Sequence, residues 1–450
     1  MSILTNHFWN GEYLKCIIKF GDGTEYVTYN NNNLSNSNFI YKASFSLKDG
    51  NNSVNPLGIN ESSVLYLQVY DKNDYLSPLN TDSPYYGQMH HGVEIDMFIS
   101  YDGSTWDDYG VWYVTNWSGS FNTGGHGIAN ITCEDRLNIL GNMDIPKLPA
   151  YADVYSGSLI RSVLTSCGVA NEDIIIDASC NVWMYYGVYN GKKVRDFLNN
   201  VCQVIEARII VDRHNKIRVI PSLALKENYN EIDLNGSELG GLQNKVTRAS
   251  EYNRIDIKYL NIIDKDRKEL FRKKISFNSG FNRSDEIRFY SRALSVENIG
   301  FEGAGSENIG NIDFTAYQNG IVIDATCSSA VTDVTVFGYG IVADTKEEII
   351  SGDVRNTGGK TFTFNTNQMM SKDNASSLLS SIINYINNIK NQIAVNGTIL
   401  TPKLDIGDLV VIDNTNSVYD GRYRVSNIDI NFSSDYNVDC TLVRLEASND

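Results

Sequence analysis

Histidines and carboxylates a few residues apart are where metal binding or proton transfer would be sought, because both groups bind metals and carry protons. The chain offers one such cluster, His90-His91 followed by Glu94 and Asp96. Adjacent residues of a strand point to opposite faces, so at most one imidazole and one carboxylate share a side, too few for a zinc site. His7, His126 and His214 stand alone, the last in an expected hairpin turn where a solvated ring is natural. Asp102, Asp107, Asp108, Glu134 and Asp135 supply carboxylates. A glycosidase pair is set by separation in space, however, and an acidic chain carries such residues throughout. "YDKNDY" (70–75) and "YDGSTWDD" (101–108) hold part of a calcium-loop pattern but lack its ligand spacing and closing Glu. No GxSxG, HExxH or Walker pattern occurs. The glycine-bearing "GFEGAGSENIG" (300–310) is acidic and joins no strand to a helix, which makes it a loop rather than a phosphate cradle. The sequence therefore assigns no catalytic residue, no cofactor and no metal.

Seven scattered cysteines without CxxC spacing read as small buried thiols in a chain made reduced. The N-terminus lacks a signal-peptide pattern, and no run is long and apolar enough to span a bilayer. Synthesis in a cytosol without a membrane anchor is expected. Formal net charge is -16, and the first 150 residues hold 16 Asp or Glu against 7 Lys or Arg. Such a surface argues against gripping a phosphate backbone, though an acidic lumen would let nucleic acid slide past. "DKDRKELFRKK" (264–274) holds six basic residues interleaved with three acidic ones, and reads as a solvated face or a contact with an acidic neighbour.

The elements that would position any of these groups are mostly strands. At 450 residues, two to four domains are expected. Residues 1–147 give six strand-like runs (13–20, 39–48, 62–71, 92–102, 109–119 and 127–135) separated by Gly-Asp turns, which implies a sandwich or closed barrel. Residues 148–222 switch to helix and strand. Leu159, Ile160, Val163, Leu164 and Cys167 share one helical face that stops at Gly168, and Val194, Phe197, Leu198, Val201 and Ile205 share another that runs into a hairpin. Strands resume at 223–263, residues 264–360 read as an inserted β-rich domain, and 361–450 as the helix and closing strands of a second β-domain.

The closing segment is the most patterned. From Ser371 as N-cap, Ala375, Leu378, Leu379, Ile382, Ile383, Ile386 and Ile389 form one helical stripe. In "PKLDIGDLVVID" (402–413), Leu404, Ile406, Leu409 and Val411 punctuate a strand pinned by a turn at Gly407-Asp408. Leu378, Ile382, Ile386, Leu404, Ile406 and Asp408 are the expected interface residues.

The order of these modules resembles the baseplate hub, or tail hub, proteins of contractile-tailed bacteriophages and phage-tail-like particles, related to the base of the type VI secretion spike. Three stretches carry it: "YVTNWSGSFNTGGHGIANITCEDRLNILGN", with its acidic-Arg-Leu turn at Glu134, Asp135, Arg136 and Leu137; "LIRSVLTSCG" with "GKKVRDFLNNVCQVIEARIIVDRHNKIRVIP"; and the closing helix with "PKLDIGDLVVIDN" and "GRYRVSNIDINF". They cover roughly 60% of the chain. The resemblance implies a mainly β chain with a small α+β domain, two tail-tube-like β-barrels, the second discontinuous, and a helix-helix-hairpin domain. It also implies a non-enzymatic homotrimer that adapts a hexameric tail tube to a threefold spike or needle among other baseplate proteins, with genomic DNA passing unbound. The place it implies is the virion tail or baseplate, after synthesis in the bacterial host cytoplasm. Two other readings are a distal-tail or receptor-binding component gripping host glycan through Trp106, Trp112 and Trp117, and a tail-associated cell-wall hydrolase.

Overall fold

The computed structural model describes residues 13–30, 38–48, 62–100, 102–121, 127–145, 152–186, 193–222, 225, 229–235, 241–244, 252–317, 319–354, 359–389, 392–396, 404–413, 419–432 and 436–445. His7, Gly124, Gly125, His126 and Pro402 lie outside them.

Seven strands, β1 (Tyr13–Lys19), β2 (Glu25–Tyr29), β3 (Asn38–Lys48), β4 (Val64–Asp71), β5 (Glu94–Ser100), β6 (Asp107–Phe121) and β7 (Gly127–Glu134), make the first module. They pair in the order β3-β2-β1-β5-β6-β7-β4, and β4 pairs back onto β3, which closes a barrel. Alternation drives the closure: β1 and β7 bury every second residue. Leu14, Cys16, Ile18, Leu67, Ile95, Met97 and Ile131 fill the interior, so this barrel is a packed core rather than a pore. The strand beyond the six expected is β2, a five-residue run after the Gly21-Asp22-Gly23 turn.

Helix α1 (Arg136–Asn142) follows, with Asp135 as its N-cap. The small module comprises β8 (Ala152–Tyr155), α2 (Ser156–Ser166), β9 (Ile174–Ile176), β10 (Trp183–Tyr186), α3 (Val194–Val204), β11 (Ala207–Val211) and β12 (Ile217–Pro221). α2 buries Leu159, Ile160, Val163 and Leu164 and ends before Gly168, whose φ of 88° only glycine adopts freely. α3 buries Val194, Phe197, Leu198 and Val201. β9, parallel to β12, was not legible as a strand.

The remaining strands are β13 (Glu231–Asn235), β14 (Gly241–Asn244), β15 (Tyr252–Phe277), β16 (Gly280–Arg283), β17 (Ile287–Arg288), β18 (Ser295–Glu302), β19 (Ile309–Ala316), β20 (Gly320–Cys327), β21 (Val331–Asp353) and β22 (Lys360–Met370). After helix α4 (Lys372–Ile389) come β23 (Gln392–Asn396), β24 (Leu409–Asp413), β25 (Gly421–Phe432) and β26 (Tyr436–Arg444). Six of them form a second sheet in the order β13-β24-β25-β26-β23-β14. Its two edge strands are consecutive in the chain. The six steps from Asn235 to Gly241 span at most about 22 Å, whereas a flat six-stranded sheet is about 24 Å wide, so the sheet must curl toward closure.

β15 and β21 pair along almost their whole length. Residue 264, where the sequence reading starts an insertion, lies inside β15 without a break. At one end β22 joins this ribbon and α4 covers one face. Ala375, Leu378, Ile382 and Ile386 pack on Ile255, Ile257, Tyr259, Phe364 and Met370. At the other end β18 joins β21, and β16, β17 and β19 flank β20. The two layers enclose a separate core of residues between Leu270 and Val342, including Phe271, Phe277, Ile321, Ile323 and Val336.

Candidate functional site

The two barrels meet along one strand pair. The second half of β25, Asn427 to Phe432, runs antiparallel to Lys48 through Ala43 of β3, while its first half pairs with β24. A register shift against β26 between Val425 and Asn427 marks the change of partner. Phe432, fully buried, sits 5.8 Å from Phe45 of the first barrel in an edge-to-face arrangement, and Phe45 in turn lies 5.7 Å from Trp112.

A second junction lies where the β11–β12 turn touches both barrels. Asp212 fixes the turn by accepting from the backbone N–H groups of His214 and Lys216 and from Arg218 Nε at 2.7 Å. Arg213 then points toward the second barrel, donating to the Leu404 carbonyl, lying 3.9 Å from Asp405 and resting over the Tyr109 ring. His214 and Asn215 point toward the first: Nδ1 of His214 is 3.2 Å from Asp108, and Asn215 Nδ2 donates to the Tyr113 hydroxyl. Arg136 closes the group by donating to the Asn215 carbonyl and to Asp173 at 3.0 Å. The acidic-Arg-Leu turn noted in the sequence thus has a structural role.

Asp135, beside this junction, accepts from Ser63 N–H at 2.8 Å and from Asn138 N–H at 3.3 Å. Burial pushes its carboxyl up to about 6 despite these bonds. It lines a small cleft with Trp112, Arg213, Asp405 and Ile406 whose void of about 20 Å³ has room for water. Trp112 Nε1 is buried there without a protein acceptor.

The six expected interface residues are all buried within the single chain. Leu378, Ile382 and Ile386 bind α4 to its own sheet; Leu404, Ile406 and Asp408 are buried in the second barrel. The physical reason is simple: an apolar stripe reports burial without reporting which surface covers it. Leu404 to Asp408 form a turn ahead of β24 rather than a strand, with Gly407 at φ 84°. Asp408 accepts from Asn230 N–H at 2.9 Å and Asp405 N–H at 2.7 Å, and so stitches the 230 region to the closing segment.

The chemistry-bearing clusters are occupied structurally. His90 and His91 precede β5 in an exposed turn, while Glu94 and Asp96 both bind Lys19, at 2.7 and 2.6 Å. Asp102 accepts from Ser104 N–H, Thr105 N–H and the Ser100 hydroxyl, which holds its carboxyl far below the usual range. Asp71 is buried and accepts from Leu76 and Asn73 N–H. Trp112 lies inside the barrel, Trp117 donates to the Leu76 carbonyl and Trp106 leans on Tyr29, so the three make no common cleft. Among the described residues no group of three or more His, Cys, Asp or Glu is arranged to hold a metal, and no described helix is long and apolar enough to cross a membrane. The basic run on β15 meets acids of its own chain, Arg267 with Glu297, Lys268 with Asp344, and Arg272 with Glu269 and Glu302.

A closed barrel and a curled sheet sharing one strand, braced by a helix-helix-hairpin module, define a mainly β tail-protein fold. No protein-family model matches the chain, and no curated protein matches it in sequence. Among solved structures, the chain is similar to the 43 kDa tail protein of prophage MuSo2 from Shewanella oneidensis, with a TM-score of 0.52 and 10% identity over 96% of this chain and 98% of that one. It is likewise similar to a tail protein from Neisseria meningitidis MC58, with a TM-score of 0.51 and 8% identity over 96% of each chain.

Proposed function

We propose that the chain is a hub subunit at the tail tip of a phage or phage-tail-like particle, forming a homotrimer that adapts a hexameric tail tube to a threefold spike. The observation that carries this reading is the shared strand β25, which sets a closed barrel beside a second curled sheet within one subunit. Three such chains place six strand-built units in a ring, which reconciles threefold with sixfold neighbours through closed symmetry. The role is architectural rather than enzymatic, with partners in the tube, the spike and the surrounding baseplate. A net charge of -16 suits a conduit that genomic DNA traverses without sticking. Native mass spectrometry and electron microscopy of the purified chain test the proposal. The expected species is a ring of three 50.4 kDa chains. A chain that stays monomeric at micromolar concentration even with its tube and spike proteins present would refute it.

A further inference from the structure

Among the described residues, 264 to 343 form a lobe joined to the rest of the chain through the two strands β15 and β21. β22 flanks β15 only as far as Asn261, and β18 flanks β21 only as far as Ile341, the partner of Arg267. Between those limits residues 262–266 face 342–345 with no third strand among the described residues, over about 17 Å. An isolated two-stranded ribbon is marginally stable and twists readily. This one is weakened further. A register shift between Ile262 and Asp264 leaves Ile263 as an extra residue, 63% exposed, and bulges of this kind bend the strand that carries them. Asp264 and Asp344 are direct cross-strand partners of like charge, with Lys268 3.1 Å from Asp344 as a solvated counter-ion.

One side chain braces the neck. Leu294, 1% exposed, packs on Ile262, Ile341 and Ala343, and its N–H donates to the Ile341 carbonyl at 2.8 Å. The lobe core is otherwise drawn from residues 270–342 and so packs as a unit of its own. We propose that residues 262–266 and 342–345 are a hinge on which the lobe swings, and that Leu294 is the catch that holds it in the described position. The lobe extends along β15 from Arg267 to Phe277, about 33 Å, so a bend of about 20° displaces its far end by about 11 Å. The hinge is a property of the single chain and stands whatever particle contains it.

Amide hydrogen exchange on the full-length protein tests this. In the native chain the neck amides should exchange at least about tenfold faster than those of Ile255–Tyr259 and of β20. Leu294→Ala should speed neck exchange by about a further tenfold with β20 unchanged, and Asp264→Lys, which creates an opposite-charge pair with Asp344, should slow it severalfold. A native neck as protected as its flanks overturns the proposal. So does a Leu294→Ala variant that loosens β20 as much as the neck, or an Asp264→Lys variant that leaves neck exchange unchanged.

Discussion

Replacing Phe432 by Ala should break the seam between the barrels more than any other single truncation on β25. The side chain is fully buried at the last rung of the β25–β3 ladder, opposite Ala43, with the Phe45 ring edge-on at 5.8 Å. Phe→Ala in a packed core costs about 3–5 kcal/mol, of which about 0.5–1.5 belongs to the aromatic pair beyond its buried area. Ala43 on the facing strand and the curvature of the barrel leave little scope for collapse into the void, which places the cost at the upper end, about 4 kcal/mol. With a urea dependence of about 2–3 kcal/mol per molar, the barrel transition should move down by about 1.5 M. Trp112, 5.7 Å from Phe45, makes intrinsic fluorescence the natural probe of this region. Tyr66→Ala, at a side chain 55% exposed on β4, is the control and should cost less than about 0.5 kcal/mol. A Phe432→Ala midpoint no lower than that control would refute the reasoning that the barrels are fused through β25.

Asp135→Asn should flatten a pH dependence. The carboxyl is raised from 3.8 to about 6 in the folded chain, so its stabilising contribution is complete below the unfolded value and lost as pH rises through about 6, a swing of roughly 3 kcal/mol. Urea midpoints at pH 4.5 and 8 should therefore differ less in the variant, which keeps an N-cap acceptor for Asn138. Ile382→Ala should cost about 2–5 kcal/mol, seen as faster amide exchange in α4 and Ile255–Tyr259 with the first barrel unaffected. Gly338→Val should destabilise the lobe by about 1–3 kcal/mol or more, because the Phe271 ring occupies the space a side chain would need; limited proteolysis within 264–343 is the readout.

Helices α2, α3 and α4 were legible because a 3.6-residue apolar period survives any tertiary context, and Ser371 does cap α4, its Oγ accepting from Asn374 N–H. The first barrel was legible through runs that alternate or are rich in β-branched and aromatic residues, save β2, whose EYVTY is too short to show a period. The continuity of β15 and β21 was not. In and beside the neck, residues 263–267 and 344–347 are exposed on both faces of the ribbon, so the alternation that marks a strand vanishes there. The junction was illegible for a different reason. Arg213 and Leu404 are 191 positions apart, and a contact at that separation leaves no local pattern. The buried destination of Leu378, Ile382 and Ile386 could be read from their stripe; the surface that receives it, made largely by β15 more than a hundred residues upstream and β22 just before the helix, could not.

The neck has one more consequence, for how such a chain can change over generations. Asp264 and Asp344 are register partners, so the chain leaves for the lobe and returns from it at points only about 5 Å apart. The first barrel closes, and the second sheet pairs, without a strand from between them. A segment that departs and returns through adjacent strands is a removable cartridge: eighty residues can be lost, lengthened or exchanged for foreign sequence while the pairing of the other two sheets is kept. The closed barrel and the second sheet are thereby free to stay constant, while the lobe is free to be rewritten.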